Sequence, residues 1–570
     1  MFYPKRKMPL FVVLLLLTSS LLRAQNIEDI TLRKPIKLSG SLNASSVMSF
    51  GLPNNSDPFN YFLSGNMNFN LFGVVNVPVS VNYSDRKVVL SQSYSFNQIS
   101  INPTYKWATA HLGTNYMSFS PYTLNGHQSL GGGIELRPGN WEIQALGGQF
   151  RRGQSLDDNA FISEFRRNGY GGKVAYNNGK FVVGANFVRS GDIDSSLPIS
   201  ERITEEGLVI NPEENLAIGL QAGTTLFNAL QVDVEYANSV ITKDRSSEFA
   251  ETSLNSLAGM FLNTNATSES FDAVKANLGY NVAKTQTIIG LGYERIDPGY
   301  TTHGGYYFVE NIINYTANVT QSLRQNTISL FANIGVQQDG IEVKNASRVV
   351  GSLNASFQPN DKFTADLNLS NFQSFIFIDD ILSQATRLPG QPIDSLDFQL
   401  ISQNIGVSTT YLFNSTEKQS NGISTNINYL NSRDNRIRTE AEGDGTTSVL
   451  NATLSYSLNY LETNFGLNAG LNVLNNSIEG NKTFGIGPTL ALQKGFLDGK
   501  ISTNTSLTLL RTKADNLTGN ESFTSTVTNL TTGGTYQPAD KHSFFLNAGI
   551  VNNASIKAFI NGTLGYTFSF

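Results

Sequence analysis

The chain has 570 residues and no cysteine. That excludes a disulfide framework, a lipid-bearing cysteine and any thiolate site. Charge is also scarce: Asp, Glu, Lys and Arg make up 15% of the sequence, with a net charge of −5. So small a net charge on so long a chain gives no electrostatic footprint for nucleic acid, and no nucleic-acid partner is expected. There are four histidines, His111, His127, His303 and His542. His127 and His303 have no carboxylate or second histidine at ligand spacing, so they read as hydrogen-bonded loop residues, and neither metal nor cofactor is expected. After residue 24 no stretch of about 18 apolar residues occurs, so no transmembrane helix is expected.

What is present is aromatic, small and uncharged: aromatics are 11% of the chain, and there are 50 Gly. A wall facing lipid on one side and water on the other needs this composition. At the amino-terminus Lys5, Arg6 and Lys7 precede an apolar run from Leu10 to Leu17, and Leu22-Arg-Ala24 precedes Gln25. This is the pattern of a secretory signal peptide over 1–24. Cleavage after Ala24 leaves 546 of the 570 residues. A short periplasmic segment is expected over 25–35 and a barrel over 36–570.

Period-two alternation is nearly continuous. Val75, Val77, Val79, Val81 and Tyr83 alternate with Asn76, Pro78, Ser80 and Asn82; Phe465, Leu467, Ala469, Leu471 and Val473 alternate with Asn464, Gly466, Asn468, Gly470 and Asn472. Each run is a strand with one apolar and one polar face, which a two-sheet sandwich shares. Connection lengths separate the two architectures. Tight turns at Arg137-Pro-Gly-Asn140, Asn177-Asn-Gly-Lys180, Phe227-Asn228, Leu497-Asp-Gly499 and Gln537-Pro-Ala-Asp-Lys541 alternate with longer polar connections at 151–168, 189–216, 238–270, 372–400, 430–446 and 511–522. An up-and-down transmembrane barrel places short periplasmic turns and long external loops in this way. The fold class expected is therefore an all-β, antiparallel barrel of about 26 strands, give or take about two.

Two features agree with a barrel. Trp107, Trp141, Phe181, Phe357, Phe363, Phe413, Phe496 and Phe544 lie close to the tight turns, where interfacial aromatic girdles form. Lys173, Asp233, Glu235, Lys275 and Asp366 all fall on the polar parity of their strands. On the lipid face each charge would cost about 2–4 kcal/mol at mid-membrane. The chain ends Thr563-Leu-Gly-Tyr-Thr-Phe-Ser-Phe570. Thr563, Gly565, Tyr566, Phe568 and Phe570 resemble the closing-strand signal of outer-membrane barrels, which implies a cell outer-membrane location, outer-membrane lipid and the barrel-assembly machinery as partners.

No constellation marks an enzyme. No serine is set beside a histidine and acid. Gly131-Gly-Gly133 lacks the helix and Lys-Ser/Thr of a phosphate loop. Arg151, Arg152, Arg166 and Arg167 bracket a loop carrying Asp157, Asp158 and Glu164, and could form a charged constriction or a solvated loop. Asp233, Glu235 and Lys275 could pair across the lumen wall. Residues 246–261 and 378–384 read as amphipathic loop helices.

Asp57-Pro-Phe-Asn-Tyr-Phe-Leu-Ser-Gly-Asn-Met-Asn-Phe69, Ser120-Pro-Tyr-Thr-Leu-Asn-Gly-His127, Gly132-Gly-Ile-Glu-Leu-Arg-Pro-Gly139 and Pro298-Gly-Tyr-Thr-Thr together resemble the large outer-membrane β-barrel proteins of Bacteroidota. The resemblance implies fold and location and brings no assigned activity. A TonB-dependent receptor fits poorly, because alternation begins near Ile36, without the long plug that precedes such barrels. Two functions remain. One is a pore or transporter for solutes, glycans or peptides, either open or gated by in-folded loops. The other is a structural or interaction barrel, a subunit of a larger outer-membrane export or adhesion assembly that docks outer-membrane protein partners through its external loops. The wide lumen and polar inner face favour the first.

Overall fold

Strands with one apolar and one polar face must pair until no edge is left bare, and here consecutive barrel positions pair antiparallel, one of them filled by two short strands. A computed structural model describes residues 35–51, 58–85, 97–154, 163–202, 209–248, 254–305, 309–324, 327–341, 346–377, 397–434, 446–478, 481–516, 521–553 and 556–570. Its strands are β1 (Ile36–Phe50), β2 (Phe59–Leu71), β3 (Val75–Ser84), β4 (Gln98–Ile101), β5 (Thr104–Tyr105), β6 (Ala108–Asn115), β7 (Ser129–Leu136), β8 (Trp141–Arg151) and β9 (Arg167–Asn177). There follow β10 (Phe181–Asp192), β11 (Glu214–Leu226), β12 (Leu230–Thr242), β13 (Ser268–Val282), β14 (Thr287–Ile296), β15 (Ile312–Leu323), β16 (Ile328–Asp339), β17 (Ala346–Asn360) and β18 (Phe363–Phe377). The last are β19 (Asp397–Ser415), β20 (Gln419–Asp434), β21 (Thr446–Tyr460), β22 (Phe465–Ile478), β23 (Asn481–Phe496), β24 (Ile501–Asn516), β25 (Glu521–Ala539), β26 (His542–Asn553) and β27 (Ile556–Ser569).

β4 and β5 both pair with β3 and β6, so they are two halves of one barrel strand. The break falls at Asn102-Pro103, where proline has no N–H for the ladder. The barrel thus has 26 strand positions. It closes through β27 on β1, in register from Ser41↔Ser569 to Phe50↔Ile560. Gly40 and Phe570 exchange both backbone hydrogen bonds, at 3.1 and 3.0 Å, so pairing runs to the last residue.

Parity decides what each face meets. Leu546 and Leu564 are opposite each other and remain 51% and 48% exposed. Leucines left this open face lipid in a membrane barrel. On the other face Asn43 donates to Thr567 at 2.8 Å, and Asn472 donates to Thr489 at 2.6 Å. At the short-turn end the outward aromatics meet one another, as in Trp141–Tyr176 (5.0 Å between centroids), Phe413–Tyr456 (6.1 Å) and Phe544–Tyr566 (4.8 Å). Tyr566 is held further by a 2.7 Å hydrogen bond between its hydroxyl and His542 Nδ1. Gly565 leaves room on the inner face for the Phe545 ring: a Cβ there would lie 2.1 Å from the ring tip, and the ring would have to move.

Two expectations need correction. Long polar stretches at 372–400, 430–446 and 511–522 are partly strand, since β18 runs to Phe377, β20 to Asp434 and β24 to Asn516. Backbone pairing alone carries the ladder on there, as in Phe377↔Asp397, without the alternation that the sequence reading relied on. In the stretch 246–261, only Gly259–Phe261 is helical among the described residues, as one 3-10 turn. Leu254, Ala258 and Leu262 instead pack on Leu216, Ile218 and Val240, on the outer face of β11 and β12. Phe249 and the segment 378–384 lie outside the described residues. Among the described residues no helix is long and apolar enough to cross a membrane.

Candidate functional site

The inner face of a water-filled barrel should be polar, yet Leu146, Phe150, Val188, Ile296 and Ile312 are inward and buried. They are buried because two connections at the long-loop end fold into the barrel. The first, 116–128, joins β6 to β7; the second includes residues 297–305 after β14.

The first loop is a tight hairpin. Ser118 bridges Asn125, and the N–H of Phe119 donates to Leu124 O at 2.8 Å. Its Met117, Phe119 and Leu124 cluster with Leu146, Phe150 and Val188 of β8 and β10. Full burial of each large apolar side chain stabilises by about 1.5–3 kcal/mol. Tyr122, 2% exposed, lies with Tyr300 over Ala237, Ala273, Ile296 and Ile312. The two alanines leave the room that the two rings fill.

Polar groups fix the loops laterally. Ser120 Oγ donates to Glu235, Tyr122 Oη to Glu294 at 2.5 Å, and Thr123 Oγ1 to Asn186 at 2.5 Å. The loops then hold each other. Tyr300 Oη donates to Tyr122 O at 2.8 Å, Thr302 Oγ1 to Thr123 O at 2.7 Å, and Asn125 N–H to Gly304 O at 2.9 Å. Gly304 is needed here, because a Cβ would lie 2.0 Å from Thr123 O. Burial first, and then the Glu294 carboxylate, push the Tyr122 hydroxyl far above its ordinary range; burial and then Glu235 do the same for Tyr300. Both stay protonated donors.

Beside the loops is a charged cluster. A bulge between Gln149 and Arg151 turns Arg151 inward beside Arg167. Arg167 grips Asp192 through Nε at 2.7 Å and Nη2 at 3.0 Å, and Arg151 reaches the same carboxylate at 3.1 and 3.2 Å. Arg167 also donates to Glu213 at 2.6 Å. His303 brings the second loop into this cluster: Nδ1 lies 2.7 Å from Ser190 Oγ and Nε2 lies 3.4 Å from Glu213. Its backbone N–H donates to Asn215 Oδ1 at 3.1 Å. Burial, then the Arg167 charge, lowers the His303 pKa to about 4; burial, then Arg167 and His303, lowers that of His127 to about 4. Burial raises the Glu213 carboxyl, but His303 and Arg167 outweigh it and hold it at about 2.

Asp157 and Asp158 lie outside the described residues; the other charges named for the loop and the lumen can be placed. Arg151 and Arg167 face the lumen in this cluster. Arg166 is exposed and lines an outward-facing pocket, and Arg152 is exposed on the loop. Glu235 lies opposite Lys275, but the ammonium is nearest Glu294, at 4.0 Å, while Glu235 latches Ser120. Asp233 lies on the inner face opposite Gly223. Sequence reasoning missed Tyr122, Tyr300, Asp192, Glu213 and Glu294. The signal that could have found them was the set of apolar residues on the polar parity of β8, β10, β14 and β15. Among the described residues no three metal-ligating side chains converge.

No family model matches the sequence, and no curated protein matches it. Solved structures match along most of the chain. A mutant of the ferric enterobactin receptor (PfeA) from Pseudomonas aeruginosa is 12% identical, covers 94% of this chain and 81% of its own, with a TM-score of 0.38. The siderophore receptor PirA from Acinetobacter baumannii is 10% identical over 94% and 80%, with a TM-score of 0.37. The copper transporter OprC is 11% identical over 94% and 80%, also at 0.37. The barrel assignment rests on the strand pairing of this chain itself.

Proposed function

We propose that the protein is an outer-membrane pore or transporter for hydrophilic solutes, such as small solutes, glycans or peptides, with a bore narrowed by the loops 116–128 and 297–305. One observation carries this reading: both loops leave the rim, enter the barrel and are hydrogen-bonded to wall residues Glu235, Glu294, Asn186 and Ser190. A barrel this wide cannot be filled by its wall side chains, so in-folded segments set its conducting width. The signal peptide over 1–24 directs export, and the assembly machinery reads the closing strand. Short turns then face the periplasm and long loops the exterior.

Liposome swelling with neutral sugars of graded size tests the reading. Swelling should fall off at a size cut-off, and replacing residues 118–125 with a short Gly-Ser turn should raise that cut-off. No swelling with either protein would remove the pore reading. The alternative, an interaction barrel, draws on the strap 254–262, whose Met260 and Phe261 are 71% and 66% exposed on the outer side. Under that reading Met260→Ser with Phe261→Ser changes migration on a native gel and leaves permeability unchanged.

A further inference from the structure

On β8 to β11 the outward residues form three cross-strand rows. The first is Ala145, Gly172, Phe187 and Ile218; the second is Gly147, Tyr170, Arg189 and Leu216; the third is Gln149, Asn168, Gly191 and Glu214. Across these three rows, on four adjacent strands, apolar side chains give way to polar and charged ones. An outward face changes like this where hydrocarbon ends and lipid headgroups begin. At that level the wall has a pocket of about 590 Å³, lined by Gln149, Arg166, Asn168, Tyr170, Arg189 and Glu214 among others. Gly191, in its lining, helps to open it: a Cβ there would meet nothing closer than 3.7 Å.

The pocket is cationic. Arg189 holds Glu214 at 2.7 and 2.9 Å, and Arg245 Nε lies 3.7 Å from the same carboxylate. Arg166 projects from the rim as a third guanidinium, exposed to solvent. Among the described residues around it, one carboxylate, Glu214, stands against three guanidiniums. Gln149 and Asn168 add neutral hydrogen-bonding groups, and guanidiniums match phosphate oxygens in both geometry and charge.

We propose that this pocket binds the phosphate of a membrane-anchored lipid in the outer leaflet, with Arg166 and Arg189 on the phosphate and Tyr170 and Phe187 beside the first acyl carbons. Tyr170 and Phe187 form a T-shaped pair 6.3 Å apart directly below the cations. A soluble anion would gain nothing from that apolar floor, whereas a lipid engages both parts at once. The site lies outside the lumen, so it does not depend on the transport reading.

The test is native mass spectrometry of the full-length protein in neutral detergent, titrated with a bis-phosphorylated lipid A and with the same lipid after dephosphorylation. Wild-type protein should retain one phosphorylated lipid at least about tenfold more tightly than the dephosphorylated one. Arg166→Gln should reduce that preference several-fold. Arg189→Gln combined with Glu214→Gln, which removes the ion pair and leaves no orphaned charge, should abolish it. Lys513→Gln, elsewhere on the rim, should not change it, and heat-modifiable gel migration checks that each variant is folded. Equal retention of both lipids, undiminished preference in the folded arginine variants, or displacement by millimolar inorganic phosphate would each overturn the proposal.

Discussion

The hydroxyl of Tyr300 donates to the backbone carbonyl of Tyr122 at 2.8 Å, joining two loops that are 178 residues apart in sequence. Each loop is also tied to the wall on its own, Tyr122 to Glu294 and His303 to Ser190. The loops therefore form one unit with several anchors. Loss of any single anchor should loosen that unit and leave the barrel intact.

Gly304→Val tests the contact between the loops. The added Cβ would fall 2.0 Å from Thr123 O, and that backbone atom has no flexible end to yield. Conductance should rise in planar bilayers while the thermal transition of the barrel stays within a few degrees of wild type, because no strand is altered.

Acidification should open the constriction. His127 and His303 have folded pKa values lowered to about 4 from the ordinary 6.5, so the docked loops favour neutral rings. Released loops bind more protons between these values. The contribution to docking is fully present above pH 6.5 and is lost as pH falls from 6.5 to 4. Around His303 the facing charges are Arg167, Glu213 and Asp192; with Glu213 held at about 2, its ionisation changes little across this window. Each tenfold loss of proton affinity on docking corresponds to about 1.4 kcal/mol. Open probability should climb between pH 7 and 4.5, and His127→Gln with His303→Gln should flatten the profile. A pH-independent wild type would contradict this.

Asp192→Ala should destabilise the rim strongly. It leaves two guanidiniums, Arg151 and Arg167, without the carboxylate they share. Breaking a buried pair from one side costs about 3–5 kcal/mol. The temperature at which the folded gel band is lost should drop, and Asp192→Asn should lie between the alanine variant and wild type.

Deleting Tyr566–Phe570 should prevent insertion. It removes Phe568 and Thr567 from their pairing with Leu42 and Asn43, and it takes away the Tyr566–His542 bond. β1 would then have a bare edge at the short-turn end. Fractionation should find the truncated chain outside the membrane, degraded or aggregated; normal insertion would refute the role given to this strand.

The wall was readable from the sequence because a strand reports its two faces residue by residue. Val75 to Tyr83 or Phe465 to Val473 needs no tertiary context to show its parity. The destination of a loop is different: whether Tyr122 meets solvent or Ala237 depends on residues more than a hundred positions away. Parity also misleads at a bulge. Counting along β8 from Trp141 puts Arg151 outward, whereas the extra residue at Phe150 turns it inward to Asp192. Leu146, Phe150, Val188, Ile296 and Ile312 did break the polar parity of the inner face, and they now identify what covers them.

The most direct measurement of the central claim is single-channel recording in planar bilayers, comparing wild type with the variant whose residues 118–125 are replaced by a Gly-Ser turn. The loops narrow the bore in this account, so wild type should show small conductance steps, and the variant larger, steadier ones. Equal conductance in the two proteins would show that the docked loops do not set the bore, and absence of conductance in both would show that there is no bore to set.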